Sequence, residues 1–241
     1  MRRPFLRPLL VWALACPLLA LAVALCFLLA PFLGGSRAFW TVAPGYIRLV
    51  ARLFGIRRRL EGWEELPAEI REGRRPVVFV GNHASLFDPP LMISTLPSHP
   101  VFIAKRELAL VPFLGWVIWL ADFIFIDRGR LERAKASLAS AVRRVHEGQS
   151  VVVFPEGTRS RSGELLPFKK GSFLLAKEAG AEVVPVAIHG GSVILPPGSW
   201  RVAPGDYRMT LGAPLHADGF EDPEGLRAAT EARLREMLSR G

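Results

Sequence analysis

Short apolar runs alternate with longer helical stretches from Leu60 onward, and this alternation leaves few folds open to the chain. The runs, which are rich in branched and aromatic residues, are 76–81, 100–104, 123–126, 150–154, 183–188 and 207–212. The helical stretches are about 89–96, 131–147, 171–179 and 223–239. Strands that alternate with helices form a parallel sheet with helices on both faces. We therefore predict an α/β fold with a mostly parallel sheet flanked by helices.

A segment of 25 uncharged residues, 9–33, precedes this alternation. As a helix it would be about 37 Å long, against a bilayer hydrocarbon core of about 30 Å. That length permits the segment to span the bilayer with a tilt. Arginines flank it in similar number on both sides, which also suits a segment whose two ends lie on the cytoplasmic side. The next segment, 39–54, is amphipathic and suits the membrane interface. We predict a membrane-anchoring helical pair in residues 1–60 and a second, folded domain in residues 61–241.

A secretory signal peptide is the alternative interpretation of the uncharged segment. Its apolar run is longer than the roughly 7–15 residues of a usual signal-peptide core. A small-residue cleavage site can nevertheless be placed around 21–24. Pro17 and Pro31 favour a kink or a break if the segment is one helix.

The net charge of +9 is confined to the apolar N-terminal part of the chain. Residues 1–60 contain nine arginines and no lysine, aspartate or glutamate, whereas residues 61–241 carry 22 basic and 22 acidic side chains. Nucleic-acid-binding proteins usually carry positive charge on the folded domain, so we expect no nucleic-acid partner. Arginine beside apolar helices favours contact with anionic lipid head groups, at about 1 kcal/mol per charge. Membrane lipids are the expected partners.

His83 and Asp88 follow directly after the first apolar run, 76–81. A carboxylate one short loop away can accept a hydrogen bond from one imidazole nitrogen and leave the other nitrogen to take a proton. This pair therefore predicts a general base and the residue that orients it. The alternative is structural, because Asp88 precedes Pro89 and Pro90 and could simply cap a helix.

Basic residues follow other predicted strands, at the edge of the sheet where α/β proteins bind ligands. Lys105 follows the run 100–104, Arg128 follows 123–126, and Arg159 follows 150–154. Arginine binds phosphate through two parallel hydrogen bonds, so the three could hold a phosphate beside His83. The alternative for Lys105 and Arg128 is a surface ion pair, with Glu107 and Asp127.

Four sequence blocks in this order resemble the glycerolipid acyltransferase family, the 1-acylglycerol-3-phosphate O-acyltransferases. The blocks are Asn82-His83 with Asp88, Phe125-Ile126-Asp127-Arg128, Phe154-Pro155-Glu156-Gly157-Thr158-Arg159-Ser160, and Val184-Pro185-Val186. The first is the family's His-x4-Asp motif. The chain departs from the family pattern at Asp122, where the family often has glycine, which puts the shape of that loop in question. Together the blocks cover roughly residues 76–190.

The resemblance implies a catalytic mechanism and a set of substrates. His83 would take the proton of the sn-2 hydroxyl of lysophosphatidate, and Asp88 would orient His83. That hydroxyl would attack the thioester of acyl-CoA or acyl-carrier protein, without an acyl-enzyme, a metal or a cofactor. The substrate-binding residues would be Glu156, Gly157, Thr158 and Arg159, with Arg128 and Lys105. The product would be phosphatidate, made at the cytoplasmic face of the inner (plasma) membrane.

Two other functions remain open from the sequence. The acceptor could be glycerol-3-phosphate or another lysolipid, although the three basic residues favour a phosphate monoester. A non-catalytic lipid-binding protein would use the basic anchor alone, and the His83 and Asp88 pair argues against it. A serine hydrolase is disfavoured because the chain has no Gly-x-Ser-x-Gly sequence.

A second apolar stretch, 108–126, is interrupted by Pro112, Gly115 and Asp122. The interruptions favour a loop and a short helix that leads into a strand, rather than a second membrane span. Its aromatic residues Phe113, Trp116 and Trp119 could face the membrane or an acyl chain, or belong to an ordinary core.

Overall fold

The computed structural model describes residues 6–127 and 131–240. The strands are β1 (Ile56–Glu61), β2 (Val77–Gly81), β3 (Val101–Lys105), β4 (Ile124–Ile126), β5 (Val151–Val153), β6 (Glu182–His189) and β7 (Gly205–Leu211). The helices are α1 (Leu6–Leu33), α2 (Gly35–Phe54), α3 (Ala68–Arg71), α4 (Asp88–Thr95), α5 (Leu114–Leu120), α6 (Leu131–His146), α7 (Gly171–Glu178), α8 (Gly191–Ile194) and α9 (Pro223–Ser239). Short 3-10 helices span Arg106–Leu110 and Ala217–Gly219.

One seven-stranded sheet has the order β1-β7-β6-β2-β5-β3-β4. The five strands from β6 to β4 are parallel, β7 is antiparallel to β6, and β1 is parallel to β7. The predicted α/β fold with a mostly parallel sheet is thus confirmed. Because these five strands share one direction, their carboxyl ends lie along one edge of the sheet, where the predicted site residues follow β2, β3, β4 and β5.

The core lies on both faces of the sheet, as the uniformly buried central strand β2 requires. Val77 and Phe79 pack into a cluster on one face, while Val78 and Val80 pack into the other. Strand residues alternate between faces, so an uninterrupted apolar run is the pattern of a strand covered on both sides. Burying each such side chain contributes about 1.5–3 kcal/mol, and β2 is therefore a rigid base for the loop that follows it.

Strand β1 was not expected from the sequence, and the predicted domain boundary at residue 60 falls inside it. Two of its three arginines pair within the fold: Arg57 binds Asp206 through two hydrogen bonds of 2.7 and 2.8 Å, and Arg58 Nη1 donates to the Ser94 carbonyl oxygen at 2.7 Å. Three consecutive arginines hide the strand alternation and resemble a head-group-binding cluster. The arginine run is therefore part of the sheet, and the division of the chain into two domains stays a prediction.

Helix α1 is the one helix among the described residues that is long and apolar enough to cross a membrane, over Pro8–Leu33. Only 17% of its most apolar window is buried within the protein, which distinguishes it from a core helix. It continues through Pro17 and Pro31 as one helix. Trp12 Nε1 donates to the Trp200 carbonyl oxygen at 3.0 Å, which ties α1 to the folded unit. The exposed apolar surface of α1 indicates membrane association.

Helix α2 packs on the folded unit through its apolar face. Phe39, Trp40 and Phe54 are buried in the same cluster as Phe79 of the central strand. The sequence predicted an amphipathic helix here and placed its apolar face in the membrane interface. Instead, the aromatic residues of that face fill the core, so α2 joins the apolar helix α1 to the sheet.

The stretch 108–126 forms a short helix, α5, that leads into β4, as predicted. Asp122 adopts a left-handed backbone conformation, with φ at 61°. Glycine adopts this conformation without strain, and aspartate tolerates it better than most residues do. The chain therefore keeps a loop shape that favours glycine at the position where it departs from the family pattern.

Candidate active site

The loop that carries His83 is fastened to the sheet by the side chain of Asn82. Its Nδ2 donates to the Ile188 carbonyl oxygen at 3.0 Å, and its Oδ1 accepts from the Ile188 amide at 2.7 Å. The carboxamide of Asn82 therefore makes the same two hydrogen bonds to β6 that a backbone peptide group of β2 would make. Because Asn82 is buried, these bonds are shielded from water and hold the start of the loop in one position.

His83 and Asp88 form the predicted pair. Nδ1 of His83 lies 2.9 Å from Oδ2 of Asp88, and the ring stacks on Phe154 with centroids 4.4 Å apart. The His83 side chain is 17% exposed and that of Asp88 is fully buried. Among residues 6–127 and 131–240, no group hydrogen-bonds to Nε2 of His83. With Nδ1 protonated and directed at the carboxylate, Nε2 is available to accept a proton.

The Asp88 carboxylate orients the histidine and does not cap α4. Oδ2 accepts from the amides of Ala84 at 2.8 Å and Ser85 at 2.7 Å, which precede Asp88 in the chain. The N-cap position is Phe87, and no side-chain cap bond is made there. The alternative interpretation of Asp88 as a helix cap is therefore wrong. One carboxylate oxygen closes the loop from 83 to 88 and also holds the imidazole.

Glu156, which is predicted to bind substrate, makes hydrogen bonds to the backbone of two loops. Its Oε1 accepts from the His83 amide at 2.6 Å, and its Oε2 accepts from the Leu166 amide at 3.0 Å. The residue is 3% exposed, and burial raises the pKa of its carboxyl group, while the two amide bonds oppose that rise. Both oxygens are directed at backbone amides, so the geometry makes Glu156 a support for the His83 backbone.

The segment after β5 is connected to the His83 loop at a second point. The Ser160 amide donates to the His83 carbonyl oxygen at 2.8 Å. Together with the bond from Glu156, this fixes both backbone polar groups of His83. The sequence placed the two segments at neighbouring strand ends, and the structure joins them directly.

The remaining predicted site residues lie at the same sheet edge with different surroundings. Gly157 has a φ of 73° and makes the turn after β5, while Thr158 is exposed. Arg159 is half-buried, and no carboxylate in the described part of the chain forms an ion pair with it. Lys105 is 60% exposed and pairs with Glu107 at 3.2 Å, as its alternative interpretation held. Arg128 lies outside the described residues.

Sequence reasoning missed two residues that contact Asp88. Tyr207 is fully buried on β7, and its hydroxyl group donates to the Asp88 carbonyl oxygen at 3.4 Å. Gly191 lies against the carboxylate, where an added Cβ would be 2.5 Å from Asp88 Oδ1. Both are more than 100 residues away along the chain, and no spacing rule links them to the His-x4-Asp motif.

No group of three or more His, Cys, Asp or Glu side chains that could hold a metal ion occurs among the residues that the structure describes. The prediction that the reaction needs no metal stays a prediction. His99, which had no motif context, stacks on Trp40 with ring centroids 4.6 Å apart. His189 ends β6 and lies near the His83 loop.

The family model described as Acyltransferase matches residues 57–189 of the chain. The chain is 34% identical over 188 residues to the 1-acyl-sn-glycerol-3-phosphate acyltransferase alpha of Ovis aries, covering 78% of this chain and 63% of that protein. It is 32% identical over 216 residues to the 1-acyl-sn-glycerol-3-phosphate acyltransferase of Pseudomonas aeruginosa, covering 88% of this chain and 79% of that protein.

A similar solved structure is that of the 1-acyl-sn-glycerophosphate (LPA) acyltransferase PlsC from Thermotoga maritima. The TM-score is 0.74 at 28% sequence identity, and the match covers 92% of this chain and 95% of that one. The chain spans 59%, 63% and 55% of the length of three curated relatives, from Limnanthes douglasii, Ovis aries and Borreliella burgdorferi.

Proposed function

The chain belongs to the acyltransferase family, and from that premise we propose that it acylates the sn-2 hydroxyl group of 1-acyl-glycerol-3-phosphate to give phosphatidate. The observation that carries the proposal is the 2.9 Å contact between His83 Nδ1 and Asp88 Oδ2, with Nε2 without a hydrogen-bond partner in the described part of the chain. A histidine held in this way is a general base for a hydroxyl group that the substrate itself supplies.

In the proposed reaction, Nε2 of His83 removes the proton as the acceptor oxygen attacks the thioester carbonyl carbon. The new carbon–oxygen bond forms while the carbonyl becomes an oxyanion. When that intermediate collapses, the carbon–sulfur bond breaks and the leaving thiolate takes the proton back from His83. The buried Asp88 carboxylate stabilises the imidazolium that exists between the two transfers, because a charge-assisted bond is strong where water is excluded.

The acceptor phosphate is assigned to the edge of the sheet next to His83. Arg159 supports this role because it follows β5, which neighbours β2, and it has no ion-pair partner in the described segments. Arg128 and Lys105 follow the next strands and are proposed to assist. The pair between Lys105 and Glu107 is solvent-exposed and therefore weak, so a phosphate can displace it.

The proposed setting of the reaction is the cytoplasmic face of the inner (plasma) membrane, with acyl-CoA or acyl-carrier protein as donor. Helix α1 supports the membrane setting through its exposed apolar surface. A lysophospholipid acceptor and a phospholipid product both reside in the bilayer, so an anchored enzyme meets its acceptor there.

The direct test is acyl transfer by the full-length protein in detergent micelles, with products identified by mass spectrometry. The acceptors are lysophosphatidate, glycerol-3-phosphate and a neutral lysolipid, each with acyl-CoA and with acyl-carrier protein. His83→Ala should lower kcat by about 10²–10⁴-fold, the usual contribution of a general base. His146→Ala is the matched control, since His146 is exposed at the end of α6 and should leave kcat unchanged.

Two results would contradict the proposal. Full activity of the His83→Ala variant would contradict the proposed general-base mechanism. If the wild-type protein showed no turnover with any acceptor, a non-catalytic lipid-binding role would be favoured. Arg159→Ala should raise the KM for lysophosphatidate by tenfold or more, while the exposed Arg161→Ala should not. An unchanged KM in Arg159→Ala would exclude that residue from phosphate binding.

A further inference from the structure

Three aromatic rings from distant parts of the chain meet beside the loop that carries the His83 and Asp88 pair. Trp12 belongs to α1, Phe54 ends α2, and Phe87 directly precedes Asp88. The ring centroids are 5.2 Å apart for Trp12 and Phe54, and the ring of Phe87 lies 6.2 Å from the first and 6.1 Å from the second. These distances lie within the range of about 4.5–7 Å that interacting aromatic pairs favour. Helix α1 therefore contacts the His83 loop itself.

A second contact fixes the same tryptophan to the segment between α8 and β7. Trp12 Nε1 donates to the Trp200 carbonyl oxygen at 3.0 Å. Earlier in that segment, the Leu195 carbonyl oxygen accepts from Ser85 Oγ of the His83 loop at 3.0 Å. Ser85 Oγ in turn accepts from the Phe87 amide at 3.1 Å. Trp12, this segment and the His83 loop thus form a closed set of contacts, in which each member touches the other two.

These contacts hold the end of the loop that carries the carboxylate. The start of the loop is held separately, because the Asn82 side chain binds β6 and Glu156 binds the His83 amide. At the other end, Phe87 is followed by Asp88, whose Oδ2 lies 2.9 Å from His83 Nδ1. The direction of this oxygen depends on the position of the backbone at Phe87 and Asp88. The contact of Phe87 with α1 is therefore one of the contacts that set the distance between the carboxylate and the imidazole.

Helix α1 has two faces near its amino-terminal end. Leu10 and Leu14 are 67% and 47% exposed and form part of its lipid-facing surface. Trp12 is half-buried and packs against the core cluster that also includes Phe54. A substitution of Trp12 therefore changes the contact with the His83 loop and leaves the lipid-facing leucines in place. Attachment to the membrane and contact with the loop can thus be separated by substitution.

We propose that Trp12 is a positioning residue for the catalytic pair. Its ring holds Phe87 and, through Phe87, keeps the Asp88 carboxylate in line with His83 Nδ1. Since a general base depends on orientation, a small displacement of the carboxylate lowers kcat. This role requires no bilayer, so it applies equally to an acceptor that is dissolved in water. The proposal rests on the proposed function, because its kinetic readout is the kcat of that reaction.

Kinetics with a lysophosphatidate of short, water-soluble acyl chain separate positioning from membrane attachment. Trp12→Ala, as full-length protein in detergent, should lower kcat by at least tenfold, with the KM for both substrates within twofold of wild type. Trp12→Phe keeps a ring at this position and should retain at least a third of kcat. Phe32→Ala is the matched control, because Phe32 also lies on α1, is 81% exposed and should leave kcat unchanged. An unchanged kcat in Trp12→Ala, an effect on KM alone, or equal losses in Trp12→Ala and Phe32→Ala would overturn the proposal.

A double-variant comparison tests the route through Phe87. Phe87→Ala removes the same ring contact from the side of the loop, so the two substitutions should not act independently. We expect the kcat of the double variant to lie within twofold of that of Phe87→Ala. A double variant whose loss equals the product of the two single losses would overturn this route. If thermal unfolding shows that Trp12→Ala does not fold, Trp12→Leu, which keeps an apolar side chain, takes its place with the same expected results.

NMR of the imidazole nitrogens tests the positioning without any substrate, and so separates it from the proposed function. At a pH where the ring is neutral, the nitrogen shifts report which nitrogen carries the proton, and their loss in His83→Ala assigns them. The carboxylate of Asp88 should hold the proton on Nδ1 of His83 in the wild type. Trp12→Ala should shift part of it to Nε2, and Phe32→Ala should not. That result would support the positioning even if lysophosphatidate proved not to be the acceptor. An identical proton distribution in wild type and Trp12→Ala would overturn it and leave the acyl transfer intact.

Discussion

Gly191 leaves room for the carboxylate of Asp88: a Cβ at residue 191 would be 2.5 Å from Oδ1. Oδ1 is buried and has no hydrogen-bond partner among the residues that the structure describes, whereas Oδ2 contacts the His83 ring and accepts from the Ala84 and Ser85 amides. Residue 191 thus controls which way the carboxylate can turn. The backbone at residue 191 does not require glycine, because its φ is not positive. Glycine is required there because any side chain would collide with the Asp88 carboxylate.

Gly191→Ala should lower kcat for acyl transfer by at least tenfold. The added methyl group must push Oδ1 away, which rotates Oδ2 out of line with His83 Nδ1. A displacement of a fraction of an ångström is enough for such a loss, because a general base depends on orientation. Steady-state kinetics with both substrates measure it. Gly219→Ala is the control, since no atom lies within 4 Å of a Cβ at residue 219. A kcat within twofold of wild type would show that Asp88 tolerates the contact.

The fold was predictable because the central strands are buried on both faces and their apolar runs have no polar interruption. Strand β1 escaped prediction because Arg57, Arg58 and Arg59 occupy half of it. Its partner β7 lies about 150 residues away, and only that pairing makes the arginines strand residues. The charge of these residues favours a surface cluster, and the tertiary contacts of Arg57 with Asp206 and of Arg58 with Ser94 hold them in the sheet instead.

The site was predictable where its chemistry lies within one short segment. His83 and Asp88 are five residues apart, and a general base needs a nearby carboxylate. The support of Glu156 for the His83 backbone depends on two loops meeting in space, so it could not be read from either loop alone. The same is true of Gly191 and Tyr207, whose contacts with Asp88 exist only after the sheet has formed.

Glu156→Gln should reduce kcat and stability together. One oxygen of Glu156 accepts from the His83 amide and the other accepts from the Leu166 amide, so an amide group must turn its NH₂ toward one of those donors. A buried donor left without an acceptor costs about 1–3 kcal/mol. We expect a lower midpoint of thermal unfolding and a kcat reduced by about tenfold, with the KM for lysophosphatidate unchanged. If the KM rose instead and kcat stayed the same, Glu156 would be a substrate-binding residue, as the sequence first suggested.

The pH dependence of stability should include a contribution from His189. Burial, the first cause, and Arg208, the second, lower its pKa in the folded state, while Glu61 opposes them. The unfolded state then binds a proton more readily than the folded state does. Stability is therefore full above the unfolded pKa of about 6.5 and falls as the pH drops through it. His189→Gln, which cannot be protonated, should show a flatter fall of the unfolding midpoint between pH 7.5 and 5.5. Parallel curves for wild type and variant would contradict this.

Trp116 and Trp119 should lie in the lipid when the protein is bound to vesicles. Trp119 is 68% exposed and Trp116 is 51% exposed. Both line an open apolar pocket of about 480 Å³ together with Phe27 of α1. This apolar surface adjoins helix α1, so it should enter the bilayer together with that helix. Transfer of each large apolar side chain from water to lipid stabilises the bound state by about 1.5–3 kcal/mol. The sequence left open whether these residues belong to a core, and their exposure excludes that alternative.

Fluorescence quenching by brominated lipids tests this placement, because bromine quenches only tryptophans within the acyl region. Trp119→Phe keeps an apolar ring and should remove a substantial part of the quenched signal. Trp63→Phe should leave the quenched signal intact, since Trp63 packs against the core of the folded unit. If Trp119→Phe and Trp63→Phe changed the quenching equally, the surface around α5 would face water. Helix α1 alone would then anchor the protein in the membrane, and the candidate active site would lie at a distance from the bilayer.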